Sequence, residues 1–514
     1  MRRRLGRGRG GPGLLGTVAR TAVIAGTASA VAGRVDAAQQ SAAQQQQQAA
    51  AAQEQLRQMQ RQAQIDAQVD AEGPAPRMTD ATGAETPGSP PPGQPRRVAI
   101  ACQGGGSHTA FTAGVLSRLF DGPERSGGLD GYEVVGLSGT SGGAVCALMA
   151  WTALRDGDQR KARALLDGFW GDNSASTPLD AAVNVWLLWT STLQSTGFLP
   201  TVSPYDLPST GLDHFRDLLT RRVDFDRIAA DPLGAQPQLL IGAVDVLSGQ
   251  FRAFNSRRER IVPDMILASA AIPTLFPTVH VAGGAFWDGL FSQNPPVHDL
   301  LDTRPDELWV IQINPTARVD EPKTVLDITD RRNELSGNLS LYQELHGIEV
   351  IDRLLAEGQL VGDRYKHVTV RILEFSRPLS SRLLGPASKL NRDARFIREL
   401  MAQGEQQAEE FLAMLAFEQA WRSGDVDGVL AILAPDVELT STAPFRPRDS
   451  LRGEHARAEV AELCTAVRLD LTRKQLTRER ATWTVRLEGE ADRSGRVEAE
   501  IVDGVVTALR MGPV

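Results

Sequence analysis

The chain has 514 residues, of which 42% are hydrophobic and 23% are charged, so it is long and apolar enough to fold into two or three domains. Its net charge of −8 argues against nucleic acid as a partner. The cysteines Cys102, Cys146 and Cys464 are far apart and odd in number. We therefore expect neither a disulfide framework nor a cysteine metal site, which favours a reducing cytoplasm.

Residues 1–95 have the composition of a leader and linker, and we expect them to be largely disordered. The first 35 residues contain seven arginines and no acidic residue before a glutamine- and alanine-rich tract at 39–72. A proline-rich linker follows at 73–95. The arginines predict peripheral contact of a cytoplasmic protein with an anionic membrane.

Two other interpretations of the apolar stretch 14–32 stay open. Ala28-Ser29-Ala30 resembles a signal-peptide cleavage site, so secretion through an N-terminal signal is an alternative to the cytoplasm. A membrane-spanning helix is disfavoured, because Arg20 is costly inside a bilayer and small side chains contribute little transfer energy.

From Arg96 onward, short apolar runs alternate with amphipathic stretches. This alternation predicts an α/β domain over residues 96–413, layered around a mostly parallel sheet. In such sheets, chemistry gathers at the carboxyl ends of the strands. The predicted strands are 98–102, 134–137, 239–246, 308–313 and 368–372.

Residues 414–514 predict a separate α+β domain. Helices are expected at 417–422 and 426–433, and Asp503-Gly504 is a strong hairpin signal between the last two strands. The predicted strands are 437–440, 481–487, 496–502 and 505–511.

Ser141 is the strongest candidate nucleophile in the chain. It lies between an apolar run and a helix-like run, with Gly139 and Gly143 two positions to either side. A serine on such a strained turn projects its hydroxyl outward, and small neighbours let the backbone pack closely. The spacing therefore predicts a nucleophile elbow.

Three consecutive glycines, Gly104, Gly105 and Gly106, follow the first predicted strand. Consecutive glycines let backbone N–H groups converge on one anion. A dinucleotide cradle is excluded because Thr109 stands where the third glycine is needed, and no Gly-Lys-Ser/Thr follows for a phosphate loop. The remaining use is an oxyanion hole beside a nucleophilic serine.

The order of three motifs closely resembles that of the patatin-like phospholipase family. The motifs are the three glycines, the GTSGG turn around Ser141, and ASAAIPTLFP at 268–277 followed by Asp288-Gly289. The resemblance covers about residues 96–411. It also includes the segments 203–207, 223–226 and 294–297.

This resemblance implies a serine acyl hydrolase that cleaves phospholipids or other lipid esters through a Ser-Asp dyad, with no cofactor and no metal ion. Ser141 would form the acyl-enzyme, Asp288 would be the base, and the three glycines would supply the oxyanion donors. His108 stands where the family has Arg or Lys, and Leu290 where it has Gly or Ala. His108 is thus a candidate modulator whose charge depends on pH.

Alternative interpretations remain for the base and for the activity itself. His280 or His298 could complete a Ser-Asp-His triad, since both follow the serine as in α/β-hydrolases. The chain could also be a non-catalytic lipid-binding or scaffold protein that keeps the fold. A tryptophan-rich stretch at 179–200 is either a buried helix or an acyl-chain pocket or lid.

The C-terminal domain resembles the SnoaL-like/NTF2-like fold through segments 416–421 and 434–439. No catalytic set is evident in it. The resemblance therefore favours binding or homodimer formation over a second activity.

Overall fold

The structure is a computed structural model of the chain. It describes residues 94–121, 129, 131–178, 180–182, 184–185, 203–206, 210–234, 237–273, 275–316, 318, 321–360, 365–375, 386–466, 474–477, 480–486, 494–502 and 504–513. Residues 1–93 of the predicted leader at 1–95 and most of the tryptophan-rich stretch lie outside the described residues.

The first sheet contains eight strands among the described residues, in the order β5-β6-β3-β2-β1-β7-β8, with β4 paired to β3. Neighbouring strands from β3 across to β8 run parallel, whereas β4, β5 and β6 pair antiparallel. The strands are β1 (Arg96–Cys102), β2 (Tyr132–Thr140), β3 (Gln238–Asp245), β4 (Phe251–Asn255), β5 (Val279–Val281), β6 (Gly284–Asp288), β7 (Glu307–Gln312) and β8 (Thr369–Glu374).

The strand register brings three segments to one edge of this sheet. Cys102 at the end of β1 pairs with Gly139 near the end of β2, so the chain leaves both strands at the same edge. Thr140 pairs with Gly242 in β3, and the next residue of β3, Ala243, pairs with Asp288 at the end of β6. Asp288 therefore reaches the carboxyl ends of the parallel strands from an antiparallel one.

Helices cover the first sheet, and the amphipathic stretches of sequence between its strands form them. The longest, α7, begins at a capping box in which Thr324 and Asp327 satisfy each other's backbone N–H groups. The helices are α1 (Ala110–Leu119), α2 (Gly142–Arg155), α3 (Lys161–Asn173), α4 (Thr210–Thr220), α5 (Phe225–Ala230), α6 (Pro263–Ala270), α7 (Val325–Ala356) and α8 (Ala394–Ser423).

A second sheet of six strands lies in the C-terminal part, in the order β10-β9-β14-β13-β12-β11. Strands β13 and β14 pair antiparallel, as expected for a hairpin around Gly504. Its elements are α9 (Val426–Ile432), β9 (Leu433–Ser441), β10 (Arg448–Arg452), α10 (Glu454–Ala466), β11 (Lys474–Thr477), β12 (Arg480–Arg486), β13 (Ser494–Val502) and β14 (Val505–Gly512).

Helix α8 packs against the first sheet and leads into the second. Trp309 of β7 meets Phe411 edge to face, with 4.9 Å between the ring centroids. Arg371 of β8 lies fully buried between two carboxylates, 2.6 Å from Glu307 of β7 and 2.8 Å from Glu418 of α8. The hydrophobic core runs without a break through these contacts.

The predicted fold class is confirmed: a mostly parallel sheet with helices is followed by a second sheet. The predicted division at 413/414 falls inside α8, and the domain limits stay a prediction. Within the part of the chain that the structure describes, no helix is both long and apolar enough to cross a membrane.

Candidate active site

Ser141 occupies a strained turn between β2 and α2. Its backbone has φ 56° and ψ −130°. Residues other than glycine rarely adopt a positive φ. Its N–H donates to the Ser269 hydroxyl at 2.9 Å, and that hydroxyl donates to the Gly242 carbonyl at 2.6 Å. Ser269 therefore ties the turn to β3 and positions the serine.

Small residues around Ser141 are required by close backbone approach. A Cβ at Gly143 would overlap the Cys102 carbonyl oxygen and lie 2.7 Å from that of Gln103. A Cβ at Gly139 would likewise overlap Gly143 itself. Helix α2 starts at the residue after Ser141, so its positive end faces the serine. This is the geometry of a nucleophile elbow.

Asp288 lies buried beside the elbow, with 2% of its surface exposed. Burial raises its pKa to about 7, while the neighbouring Ser141 side chain and the Leu290 N–H act in the opposite direction. The Leu290 N–H lies 2.8 Å from Asp288 Oδ1. A carboxyl group with such a pKa can accept a proton near neutral pH.

The three glycines do not have equal roles. The Gly104 N–H already donates to Asn294 Oδ1 at 2.6 Å, so it is not a free oxyanion donor, which corrects the expectation for Gly104. Within the described residues, the N–H groups of Gly105 and Gly106 have no acceptor. Gly105 and Gly106 are therefore the two donors left open at this loop.

His108 corrects a second expectation, because it carries no pH-dependent charge near neutrality. Burial, assisted by the positive charge of Lys389, lowers its pKa to about 3. Its Nε2 lies 2.8 Å from the Ser388 hydroxyl, and its ring stacks on Phe375. His108 is a neutral packing residue at physiological pH.

A buried polar network supports the glycine loop from behind. The Gln103 side chain accepts from the backbone N–H of Ile313 and Asn314 and donates to Asn338 Oδ1 at 2.8 Å. Lys389 Nζ donates to Asn314 Oδ1 at 3.2 Å. The network joins the end of β1 to helix α7 and fixes the position of the loop.

The two histidines that could act as the base in place of Asp288 differ from it in exposure. His280 is exposed on β5, and the His298 side chain is 81% exposed and faces Asp299. Cys102 and Cys146 are fully buried, and burial raises the pKa of both thiols. The structure thus brings together Ser141, Asp288 and the glycine loop, and leaves the two histidines on the surface.

Sequence reasoning missed the supporting residues Ser269, Asn294 and Lys389. Ser269 and Asn294 stand inside the segments 268–277 and 294–297 that carried the resemblance, as polar residues within or beside apolar runs. A polar residue in such a position was the signal from which a supporting role could have been predicted. Lys389 stands in no such motif, and its position beside Gly106 depends on the tertiary fold.

Residues 100–301 match the family model described as patatin-like phospholipase. The chain therefore contains a patatin-like phospholipase domain over less than half of its 514 residues. The matched range includes Ser141, Asp288, Asn294 and the glycine loop. None of the curated proteins matches the chain.

Solved structures with NTF2-like folds are similar to a small part of the chain. An NTF2-like protein of unknown function from Mesorhizobium loti is 17% identical over 20% of this chain and 89% of its own, with a TM-score of 0.19. An NTF2-like protein from Burkholderia xenovorans is 20% identical over 20% of this chain and 87% of its own, with a TM-score of 0.17. An LEH-like epoxide hydrolase from M. tuberculosis is 18% identical over 20% of this chain and 81% of its own, with a TM-score of 0.17.

Proposed function

We propose that the patatin-like domain is a serine acyl hydrolase that cleaves carboxylic esters of lipids, phospholipids among them, through Ser141 and Asp288. The observation that supports the proposal most is the position of the buried Asp288 beside the Ser141 side chain, which lowers the pKa of that carboxyl group against the effect of burial. Acyl transfer needs a nucleophile and a base that can come within hydrogen-bond reach of each other.

In the first half-reaction, Ser141 Oγ attacks the ester carbonyl carbon while its proton passes to Asp288. The tetrahedral intermediate carries a negative charge on the former carbonyl oxygen. Its collapse breaks the bond to the alcohol, which takes the proton from Asp288 and leaves. Ser141 then carries the acyl group as an ester.

In the second half-reaction, Asp288 takes a proton from water, and the hydroxide oxygen attacks the acyl carbon. Collapse of this intermediate breaks the bond to Ser141 Oγ, which recovers the proton from Asp288, and the carboxylic acid leaves. A single buried carboxyl group thus acts as base and as acid in each half-reaction.

The open N–H groups of Gly105 and Gly106 support a role as donors to the negatively charged oxygen. Preorganised backbone donors stabilise such charge because they need no reorganisation during the reaction. In this proposal Gly104 holds the loop in place through its hydrogen bond to Asn294, and the N–H groups of Gly105 and Gly106 donate to the substrate oxygen.

Hydrolysis of p-nitrophenyl acyl esters tests the dyad. We expect Ser141→Ala and Asp288→Asn to lower kcat/KM at least about a thousandfold, because each removes a group that acts as part of one unit. A fluorophosphonate probe should label Ser141 in the native protein and nothing in Ser141→Ala.

Exposed residues of the same chemistry serve as controls. Ser423→Ala and Asp436→Asn should keep the native rate. If the native protein neither hydrolyses the esters nor reacts with the probe, the chain is the non-catalytic lipid-binding or scaffold protein instead.

A further inference from the structure

Helix α7 has an inner face that belongs to the candidate active site. A Cβ at Gly337 would lie 3.3 Å from Leu290 Cδ1 and 3.4 Å from Asn294 Nδ2. The next residue, Asn338, accepts the hydrogen bond from Gln103 at the base of the glycine loop. The helix therefore packs directly against the loops that carry Asp288 and the oxyanion donors.

The outer face of the same stretch exposes large apolar side chains. Ile328, Leu335 and Leu339 are 51%, 52% and 39% exposed. With Arg332 between them, they recur every three or four residues and so lie on one side of the helix. Isolated exposed leucines are ordinary, but an apolar stripe beside an active site indicates an interaction surface.

The charge of this outer face is positive, although the whole chain carries −8. Arg332 is exposed and has no carboxylate partner among the described residues. The acidic residues of the stretch, Asp330 and Glu334, are each only 5% exposed and pair with Arg318 on the inner side. No described carboxylate between Ile328 and Leu339 is therefore exposed.

We propose that the outer face of α7, from Ile328 to Leu339, docks on a lipid surface that contains anionic headgroups. The apolar side chains would enter the boundary between headgroups and acyl chains, and Arg332 would lie at the headgroup level. The proposal rests on the proposed function, since it states how a lipid esterase meets its substrate. A helix is ~10 Å thick, so docking brings the lipid surface close to the elbow.

Sedimentation with vesicles tests this proposal on the full chain. All proteins carry Ser141→Ala, so that the lipid is not consumed and the result does not depend on turnover. The vesicles are phosphatidylcholine alone or mixed with phosphatidylglycerol. We expect the double change Leu335→Gln and Leu339→Gln to lower the partition coefficient on mixed vesicles about tenfold or more.

Salt separates the apolar and charged contributions. Arg332→Gln should weaken binding severalfold at low salt and have little effect at about 0.5 M NaCl, where exposed charges are screened. The loss in the double variant should persist at that salt concentration. The comparison at high salt also screens the arginine-rich residues 1–35.

Leu233 supplies a matched control, because it is 50% exposed and precedes the amino end of β3, at the opposite edge of the sheet. Leu233→Gln should bind vesicles like the parent. Equal binding of the double variant and the parent at high salt would overturn the proposal, as would the absence of vesicle binding by the parent. A parent that is dimeric in the ultracentrifuge and a double variant that is monomeric would instead assign the face to a second copy of the chain.

Discussion

At Asp288, burial and hydrogen bonding act in opposite directions on one carboxyl group. Burial raises its pKa to about 7, while the Ser141 side chain and the Leu290 N–H favour the charged form. A carboxylate with an ordinary pKa would be a weak base for a serine hydroxyl. The buried position of Asp288 therefore supports the proposal that it acts as the base without a histidine.

The rate of ester hydrolysis should follow the ionisation of Asp288. Because the base must be unprotonated, we expect kcat/KM to fall tenfold per pH unit below about pH 7 and to level off above it. His108 should add no second step near neutral pH, since its pKa is about 3. A pH profile with a midpoint near 4 would contradict this assignment.

The same ionisation should affect stability with a definite sign. In the unfolded chain the pKa of Asp288 is ~3.9, whereas in the folded protein it is about 7. The folded protein therefore holds a proton that the unfolded chain has lost, and its stability falls as the pH rises between these values. Above pH 7 the full cost of the buried charge remains.

Asp288→Asn removes that charge and should stabilise the inactive protein. We expect the free energy of unfolding at pH 8 to rise by about 2 to 4 kcal/mol, and the difference to shrink toward pH 5. Urea denaturation at the two pH values measures it. An Asp436→Asn control, at an exposed position, should change neither value.

The residues of the proposed dyad could be named from the sequence because their motifs are local. Ser141 and Asp288 stand in motifs of a few residues, and both were proposed from the sequence. The engagement of Gly104 by Asn294 and the burial of His108 beside Lys389 join residues that are 190 or more positions apart. Such contacts depend on the tertiary fold, and so the expectations for Gly104 and His108 were wrong.

At the scale of elements, the turn from β2 into α2 depends on close packing against β1. We expect Gly143→Ala to lower the free energy of unfolding by about 1 to 3 kcal/mol, because the added methyl group would overlap the Cys102 carbonyl oxygen. Thermal and urea denaturation measure the change.

Gly171 in α3 is the matched control, since a Cβ there would meet nothing within 4 Å. Gly171→Ala should stabilise the helix by about 0.5 to 1 kcal/mol. If both variants are equally stable, the close approach at Gly143 does not constrain the turn.

The strands of the first sheet were predictable because they are short, apolar and buried. The predicted strand 98–102 lies within β1. The predicted strand 308–313 corresponds to β7, which begins and ends one residue earlier. Helix α7 was not predicted, because many of its 32 residues are polar. Only the last turns of α8 were proposed, as 417–422.

At the scale of the whole molecule, the buried group of Glu307, Arg371 and Glu418 connects the first sheet to α8. Replacement of Arg371 by Met removes the cation that lies between two buried carboxylates, while Arg96 still pairs with Glu307 at 2.9 Å. We expect a loss of about 3 to 5 kcal/mol in the free energy of unfolding. Arg395→Met breaks an ion pair whose side chains are 84% and 41% exposed, and should cost less than about 1 kcal/mol.

Urea denaturation with two probes follows both parts of the molecule. Tryptophan fluorescence reports the surroundings of the eight tryptophans, Trp309 and Trp421 among them, and far-ultraviolet circular dichroism reports the helices. A loss below about 1 kcal/mol for Arg371→Met would mean that the carboxylates find other partners or become protonated.

Helix α8 also limits how the gene of this protein could have been assembled or can be divided. One rigid element bears Phe411, which packs on the first sheet, and Trp421, which belongs to the C-terminal core. A recombination point or an expression boundary near residue 413 would split that element and expose both halves. We therefore expect that a piece of the chain holding either sheet needs the part of α8 that packs on that sheet in order to fold.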